Sequence, residues 1–216
     1  MAYPLKLHIP TLFIIAILSW PLTVSAGIQE DLIWAIEKGN SFEVSRLLNK
    51  GANPDIPDSE GNTPLMIAAK NKDLKLAQIL IEAGAKLDIR NDYGETAIML
   101  ASYHGQTELV KQLYTQGAKI NHDGWNPIIY AASGGHLQVI RLLLSSGADI
   151  NSATDNGTTA LMMAVRENHL DAVALLLENG ADLTAKNEHG DSALTWAEKQ
   201  NHQDIVKLLK SYGESK

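Results

Sequence analysis

Residues 126–151 read N-P-I-I-Y-A-A-S-G-G-H-L-Q-V-I-R-L-L-L-S-S-G-A-D-I-N and hold two short apolar-periodic segments. The first opens on Asn126 and Pro127 and breaks at Gly134 and Gly135; the second runs from Leu137 to Leu144 and stops at Gly147. A capping side chain, a proline at the first helical position and a glycine after the last apolar residue are helix start and stop signals. The stretch therefore predicts helix, turn, helix, stop. Neither helix stands alone in water, because one of fewer than about 12 residues does not recover its nucleation cost without a packing partner.

The partners are neighbouring copies of the same unit. The stop glycine recurs at Gly51, Gly84, Gly117, Gly147, Gly180 and Gly213, in steps of 33, 33, 30, 33 and 33 residues. An alanine of the first helix keeps register at Ala35, Ala68, Ala101, Ala131, Ala164 and Ala197. Such a period defines a solenoid of about six helix-turn-helix units.

The wording inside the period resembles a known family. T-P-L-M-I-A-A (63–69), T-A-I-M-L-A-S (96–102), N-P-I-I-Y-A-A (126–132), T-A-L-M-M-A-V (159–165) and S-A-L-T-W-A-E (192–198) resemble the T-P-L-H-x-A-A opening of an ankyrin repeat. L-L-N-K-G-A-N (47–53), L-I-E-A-G-A-K (80–86), L-Y-T-Q-G-A-K (113–119), L-L-S-S-G-A-D (143–149) and L-L-E-N-G-A-D (176–182) resemble its L-L-x-x-G-A-D closing. The resemblance implies an all-α ankyrin-repeat solenoid with β-hairpin fingers between units. Its repeats fall at about 28–60, 61–93, 94–123, 124–156, 157–189 and 190–216. Function is not implied at the same resolution, since one fold hosts many activities.

Lysine and arginine total 18 and aspartate and glutamate 25, a net charge of −7. An acidic chain tracks a phosphate backbone poorly, which argues against nucleic acid. There is no cysteine, so disulfides, thiolate metal sites and cysteine nucleophiles are absent. Residues 1–26 stand outside the repeat: Lys6, an apolar run from Thr11 to Trp20, Pro21 and V-S-A ending at Ala26 read as a secretory signal peptide. Cleavage would leave a chain starting at Gly27, exported to a bacterial periplasm or secreted, with no membrane attachment.

Thr63, Thr96, Asn126, Thr159 and Ser192 are placed to cap the first helix of each later repeat, and Pro64 and Pro127 to open one. Where the family has histidine after T-P-L, this chain has Met66, Met99, Ile129, Met162 and Thr195, which predicts a lost local hydrogen bond. Trp34, Ile67, Leu100, Tyr130, Met163 and Trp196 share one register position, read as core. The finger before Gly124 is three residues shorter than the others and accounts for the 30-residue step.

Catalytic chemistry finds little support. His136, His169 and His202 recur at one repeat position, where the resemblance implies hydrogen bonds between adjacent loops. His104, His122 and Asp123 are the one arrangement from which a weak metal or enzymatic site would be built, and they lack metal-ligand spacing. The expectation is therefore no enzymatic activity, no cofactor and no metal.

What remains is surface. The resemblance implies a concave face built from finger tips and first-helix ends. Tyr93, Tyr103, His104 and Trp125 fall there in consecutive repeats beside the short finger, and aromatic side chains are the usual anchors of an interface. Acidic residues at Glu60, Asp92, Glu95, Asp155 and Glu188 rim them, which favours a partner with basic groups. The candidate partner-binding set is Tyr93, Glu95, Tyr103, His104, Trp125, Asp155, Arg166 and His189. The expected function is a monomeric protein-interaction module of the cell envelope. An immunity-type neutraliser, or a secreted effector that binds a toxin or host protein, is the alternative.

Overall fold

The computed structural model describes residues 27–214, so the export segment read at 1–26 lies outside the described residues. Six helix pairs follow one another: α1 (27–37) with α2 (Ser41–Asn49), α3 (Pro64–Lys70) with α4 (Leu74–Glu82), and α5 (Ala97–Tyr103) with α6 (Thr107–Thr115). Then come α7 (Pro127–Ser133) with α8 (Leu137–Ser145), α9 (Ala160–Arg166) with α10 (Leu170–Glu178), and α11 (Ala193–Lys199) with α12 (Gln203–Glu214). Helices this short persist because each first helix packs between those of its neighbours: α5 lies between α3 and α7, and α9 between α7 and α11. From Ala97 to Ser102 every residue of α5 is buried, whereas α6 buries Leu109, Val110 and Leu113 and leaves a solvent side.

Capping follows the expectation in four repeats of five. Thr63, Asn126, Thr159 and Ser192 each accept a hydrogen bond from the amide three residues on, at 3.3–3.4 Å. Thr96 departs: its Oγ1 is buried without a hydrogen-bond partner. The bond expected to be lost with the family's histidine is partly replaced, because Met66 Sδ accepts from Thr63 N–H and Met99 Sδ from Thr96 N–H, both at 3.4 Å. A thioether is a weak acceptor, so the replacement is a softer version of the same closure.

The second-helix histidines tie repeat to repeat. His136 Nε2–H donates to Tyr103 O (2.7 Å), His169 Nε2–H to Ser133 O (3.0 Å) and His202 Nδ1–H to Val165 O (2.9 Å), while Gln106 Nε2–H reaches Ala69 O. At the same position Asn40 and Asp73 instead cap their own helices, accepting from Glu43 and Leu76 amides.

The fingers form turns without ladders. Among the described residues there is no strand, only one isolated bridge between Ala153 and Thr159. Each full finger closes through two backbone bonds: Asp58 N–H to Asn62 O, Asn91 to Glu95, Thr154 to Thr158 and Asn187 to Asp191 at 2.9–3.0 Å, and Gly61, Gly94, Gly157 and Gly190 N–H back to Asp58, Asn91, Thr154 and Asn187 O at 2.8–3.1 Å. Neighbouring tips touch through Asp92 N–H to Glu60 O (3.1 Å) and Glu188 N–H to Asn156 O (2.8 Å). At the finger bases Asp55, Asp88, Asn121 and Asn151 accept from backbone amides one finger on, at Lys86, Lys119, Asp149 and Asp182. In the short finger the base residue Asn121 is followed at once by His122, Asp123 and Gly124, so the separate turn-locking residue is what the shortening removes. Among the described residues no tip-to-tip backbone bond joins this finger to either neighbour.

Two readings need correction. Trp34 is not core: it is 56% exposed, because among the described residues no repeat or finger precedes α1 to cover it. Only Leu100 and Met163, with repeats on both sides, are fully buried at that register. Gly213 is not a helix stop either. Gly51, Gly84, Gly117, Gly147 and Gly180 turn the chain with φ between 81° and 98°, but Gly213 stays within the helical run of α12.

Candidate partner-binding site

The site is assembled from one finger and two first helices. In the finger, Asn91 Oδ1 accepts from the amides of Tyr93 (3.0 Å) and Glu95 (2.9 Å), the side-chain turn that Asn and Asp favour. Its Nδ2 donates to Glu95 Oε2 (2.9 Å) and to Asn62 Oδ1 (2.9 Å), so one asparagine sets the tip, aims the glutamate and ties the finger to the one before it. Tyr93 then stands clear of the tip, 69% exposed.

Tyr130 is the hub, and its role was missed in the sequence because its register was read as packing. Its hydroxyl donates to Glu95 Oε1 (3.1 Å) across the repeat boundary. A tyrosine where other repeats have Ile67, Leu100 or Met163 needs a partner for its hydroxyl, and that was the available signal. Tyr103, the last residue of α5, meets the Tyr130 ring edge-on at 6.3 Å and 90°, and the His104 ring at 5.2 Å. Trp125, directly after the short finger, tilts against Tyr130 at 5.3 Å. Both stay accessible, at 45% for Tyr103 and 38% for Trp125.

These side chains frame an open pocket of about 610 Å³ lined by Lys70, Tyr93, Glu95, Leu100, Tyr103, His104 and Tyr130. Burial, then the charges of Lys72 and His136, hold the His104 pKa below the ordinary histidine value, so the ring is neutral near pH 7. Burial, reinforced by the Glu95 charge, pushes the Tyr130 hydroxyl far above the ordinary tyrosine value and keeps its proton in place for the carboxylate. Lys70 Nζ lies 3.7 Å from Glu60, not on Glu95.

His122 lies elsewhere. It lines a separate polar groove of about 900 Å³ with Asp88, Arg90, Lys119 and Asp123, so His104 and His122 do not share a pocket. Its Nε2 is 3.1 Å from Lys119 O, and burial followed by the Arg90 charge lowers its pKa. Among the described residues no group of three or more histidine, aspartate or glutamate side chains stands close enough to hold a metal ion.

A family model for ankyrin repeats, three copies in length, matches residues 28–91, 73–154, 98–187 and 152–216. The chain belongs to the ankyrin repeat family. It superimposes on the crystal structure of EF0377, an ankyrin repeat protein, with a TM-score of 0.76 and 34% identity, covering 85% of this chain and 98% of that one. In sequence it is 34% identical over 123 residues to the 26S proteasome non-ATPase regulatory subunit 10 of Dictyostelium discoideum. It is 31% identical over 127 residues to the human ankyrin repeat and SOCS box protein 3. Those matches span 56% and 59% of this chain but 40% and 19% of the two relatives. Ankyrin repeats are protein-interaction modules, generally non-catalytic. No helix among the described residues is long and apolar enough to cross a membrane.

Within this ankyrin solenoid the eight candidate residues separate into two groups. Tyr93, Glu95, Tyr103, His104 and Trp125 converge on Tyr130. Asp155, Arg166 and His189 do not line that pocket. The Asp155 carboxylate lies over Gly124, where a Cβ would stand 3.0 Å from its Oδ1. Arg166 Nε pairs with Glu167 at 2.8 Å, and His189 Nε2 lies 3.8 Å from Glu188.

Proposed function

We propose that this ankyrin chain binds a protein partner in the cell envelope, across the face of finger tips and first-helix ends, with Tyr93, Tyr103 and Trp125 as anchors. One observation carries the reading: three exposed aromatic side chains gather around Tyr130 from separate elements. Scattered exposed aromatics would carry no such meaning, but clustered ones beside a pocket have the form of an interface hot spot. The acidic rim favours a partner with basic groups and acts mainly on the rate of encounter. The envelope assignment rests on the composition of residues 1–26, and an intact mass beginning at Gly27, taken from the exported fraction, is the result expected for it.

The test is capture from native envelope extract with the tagged chain beside its Tyr93→Ala/Trp125→Ala variant. The partner is then purified and titrated against both. Affinity should fall by about 30-fold or more, about 2 kcal/mol, with a melting temperature near that of the parent. Equal affinity for both chains would remove the aromatic cluster from the interface.

A further inference from the structure

The pocket at Tyr130 contains a carboxylate whose charge the protein does not neutralise. Glu95 receives one neutral donor on each oxygen, Tyr130 Oη–H on Oε1 and Asn91 Nδ2–H on Oε2. An ionised carboxylate offers about four lone-pair sites, so each oxygen keeps one more acceptor direction. Among the described residues no lysine or arginine forms an ion pair with Glu95: Lys70 is beside Glu60, and Arg90 donates to Gly94 O at 2.9 Å. A carboxylate with open acceptor directions and no ion-pair partner is a ready acceptor for the charged N–H groups of an incoming cation. The lining also suits a cation, because Tyr93, Tyr103 and Tyr130 supply aromatic rings whose faces attract positive charge and His104 is neutral.

We infer that this pocket receives an arginine side chain from the partner, its guanidinium forked onto Glu95 and stacked against the tyrosines. The choice of arginine over lysine follows from geometry. One free acceptor direction on each carboxylate oxygen matches two parallel N–H groups of a guanidinium, whereas an ammonium is a strongly hydrated point charge that loses more on entering. Lys70 lines the pocket, and Lys72 and Arg90 lie close enough to act on His104 and Tyr130, so all three oppose the incoming group. The inference rests on the interaction-module reading and specifies what the partner must carry.

The probe is the full chain titrated with acetyl-Gly-Arg-Gly-amide, followed by NMR shifts of the tyrosine rings, with citrulline and lysine versions of the peptide as controls. The arginine peptide should shift Tyr93, Tyr103 and Tyr130 and leave His189 unmoved. The citrulline peptide, neutral but isosteric, should bind about tenfold more weakly, as should the arginine peptide on Glu95→Gln, in which the amide oxygen still accepts from Tyr130. Lys70→Ala should tighten binding. Should Glu95→Gln perturb folding, Tyr93→Ala replaces it, since that ring stands clear of the core. Equal binding of the citrulline or lysine peptide, or shifts elsewhere on the surface, would overturn the assignment. The module reading is scored separately by partner capture: loss of the partner on Tyr93→Ala/Trp125→Ala with no arginine preference sinks the arginine pocket alone, and an arginine preference with unchanged capture sinks the interface alone.

Discussion

The middle and the C-terminal end of this solenoid treat the same face differently. From Arg166 onward charges are matched locally: Arg166 to Glu167 at 2.8 Å and Lys199 to Asp191 at 2.7 Å on that face, and Lys210 of α12 to Glu198 at 2.8 Å. The Lys199 contact is strong enough to hold the Asp191 carboxyl below the usual carboxylate range. Around α5 and α7, Glu95 meets only neutral donors and the surrounding surface is aromatic. Equivalent repeat positions therefore present a self-neutralised surface at one end and an unfinished one in the middle. The difference teaches that repeat register decides where a side chain points, while the residues beside it decide whether it is available.

The largest effect should come from setting the two regions against each other in binding. Tyr93→Ala/Trp125→Ala is expected to lose about 2 kcal/mol or more of partner affinity, while Arg166→Ala and His189→Ala each change it by less than about 0.5 kcal/mol, because neither lines the aromatic pocket and each contacts a carboxylate next to it in sequence. Titration of all three variants with the same partner checks this. Equal losses would mean that the whole face contributes and the contrast is false.

That contrast also marks how far the sequence could be read. The fold was legible because its evidence is periodic: six alanines and glycines in register, capping residues and repeated motifs each say the same thing several times. Tyr93, Tyr103, His104 and Trp125 were legible as surface for the same reason. Tyr130 was not, since its register belongs to Leu100 and Met163 and only its hydroxyl set it apart. Trp34 and Gly213 were misread in the first and last described repeats, where the pattern of the inner repeats was extended to positions flanked by a described repeat on one side only. The separation of Arg166 and His189 from the pocket depends on pairs within a finger or a helix end, which no repeat period encodes.

A second contrast lies in the backbone. The turn between first and second helix is left-handed in all six described repeats: it is glycine at Gly39, Gly105 and Gly135, and Lys72, Asn168 and Asn201 in the other three, with φ of 57–60°. Gly135→Ala should destabilise by about 1–2 kcal/mol from backbone conformation alone. The His169 ring, 2.7 Å from the added Cβ, must move as well. Lys72→Gly should stabilise by up to about 1 kcal/mol, since asparagine tolerates this conformation better than lysine and glycine best of all. Urea denaturation of both variants measures the pair, and a stable Gly135→Ala would show that the turn relaxes.

A smaller effect separates two threonines at the same cap. Thr63 Oγ1 accepts from Met66 N–H, so Thr63→Val should cost about 1 kcal/mol. Thr96 Oγ1 is buried without a partner, so Thr96→Val removes an unsatisfied hydroxyl at nearly constant volume and should be neutral or stabilising. Melting temperatures of the two variants suffice, and a similar fall in both would mean that Thr96 caps its helix in solution.

The smallest effect is local and set by acid. Asp58, Asn91 and Asn187 lock their fingers in the same way, but only Asp58 titrates. Partial burial works against its ionised form, and hydrogen bonds from the Asn62 side chain and from the Asn62 and Glu60 amides outweigh that, so its pKa lies below the ordinary aspartate value. A depressed folded pKa means that the carboxylate's contribution is complete above the unfolded value of about 3.9 and is lost as pH falls through the lower, folded one. Below about pH 4 the Glu60 and Asn62 amides should therefore lose protection against hydrogen exchange, while the matching amides at Tyr93 and Glu95, held by an asparagine, should not. Asp58→Asn should abolish the difference, because an amide oxygen accepts the same backbone bonds at every pH. If the first finger loosens in acid even with asparagine at 58, the weakness belongs to the N-terminal repeat as a whole and not to the carboxylate that closes its turn.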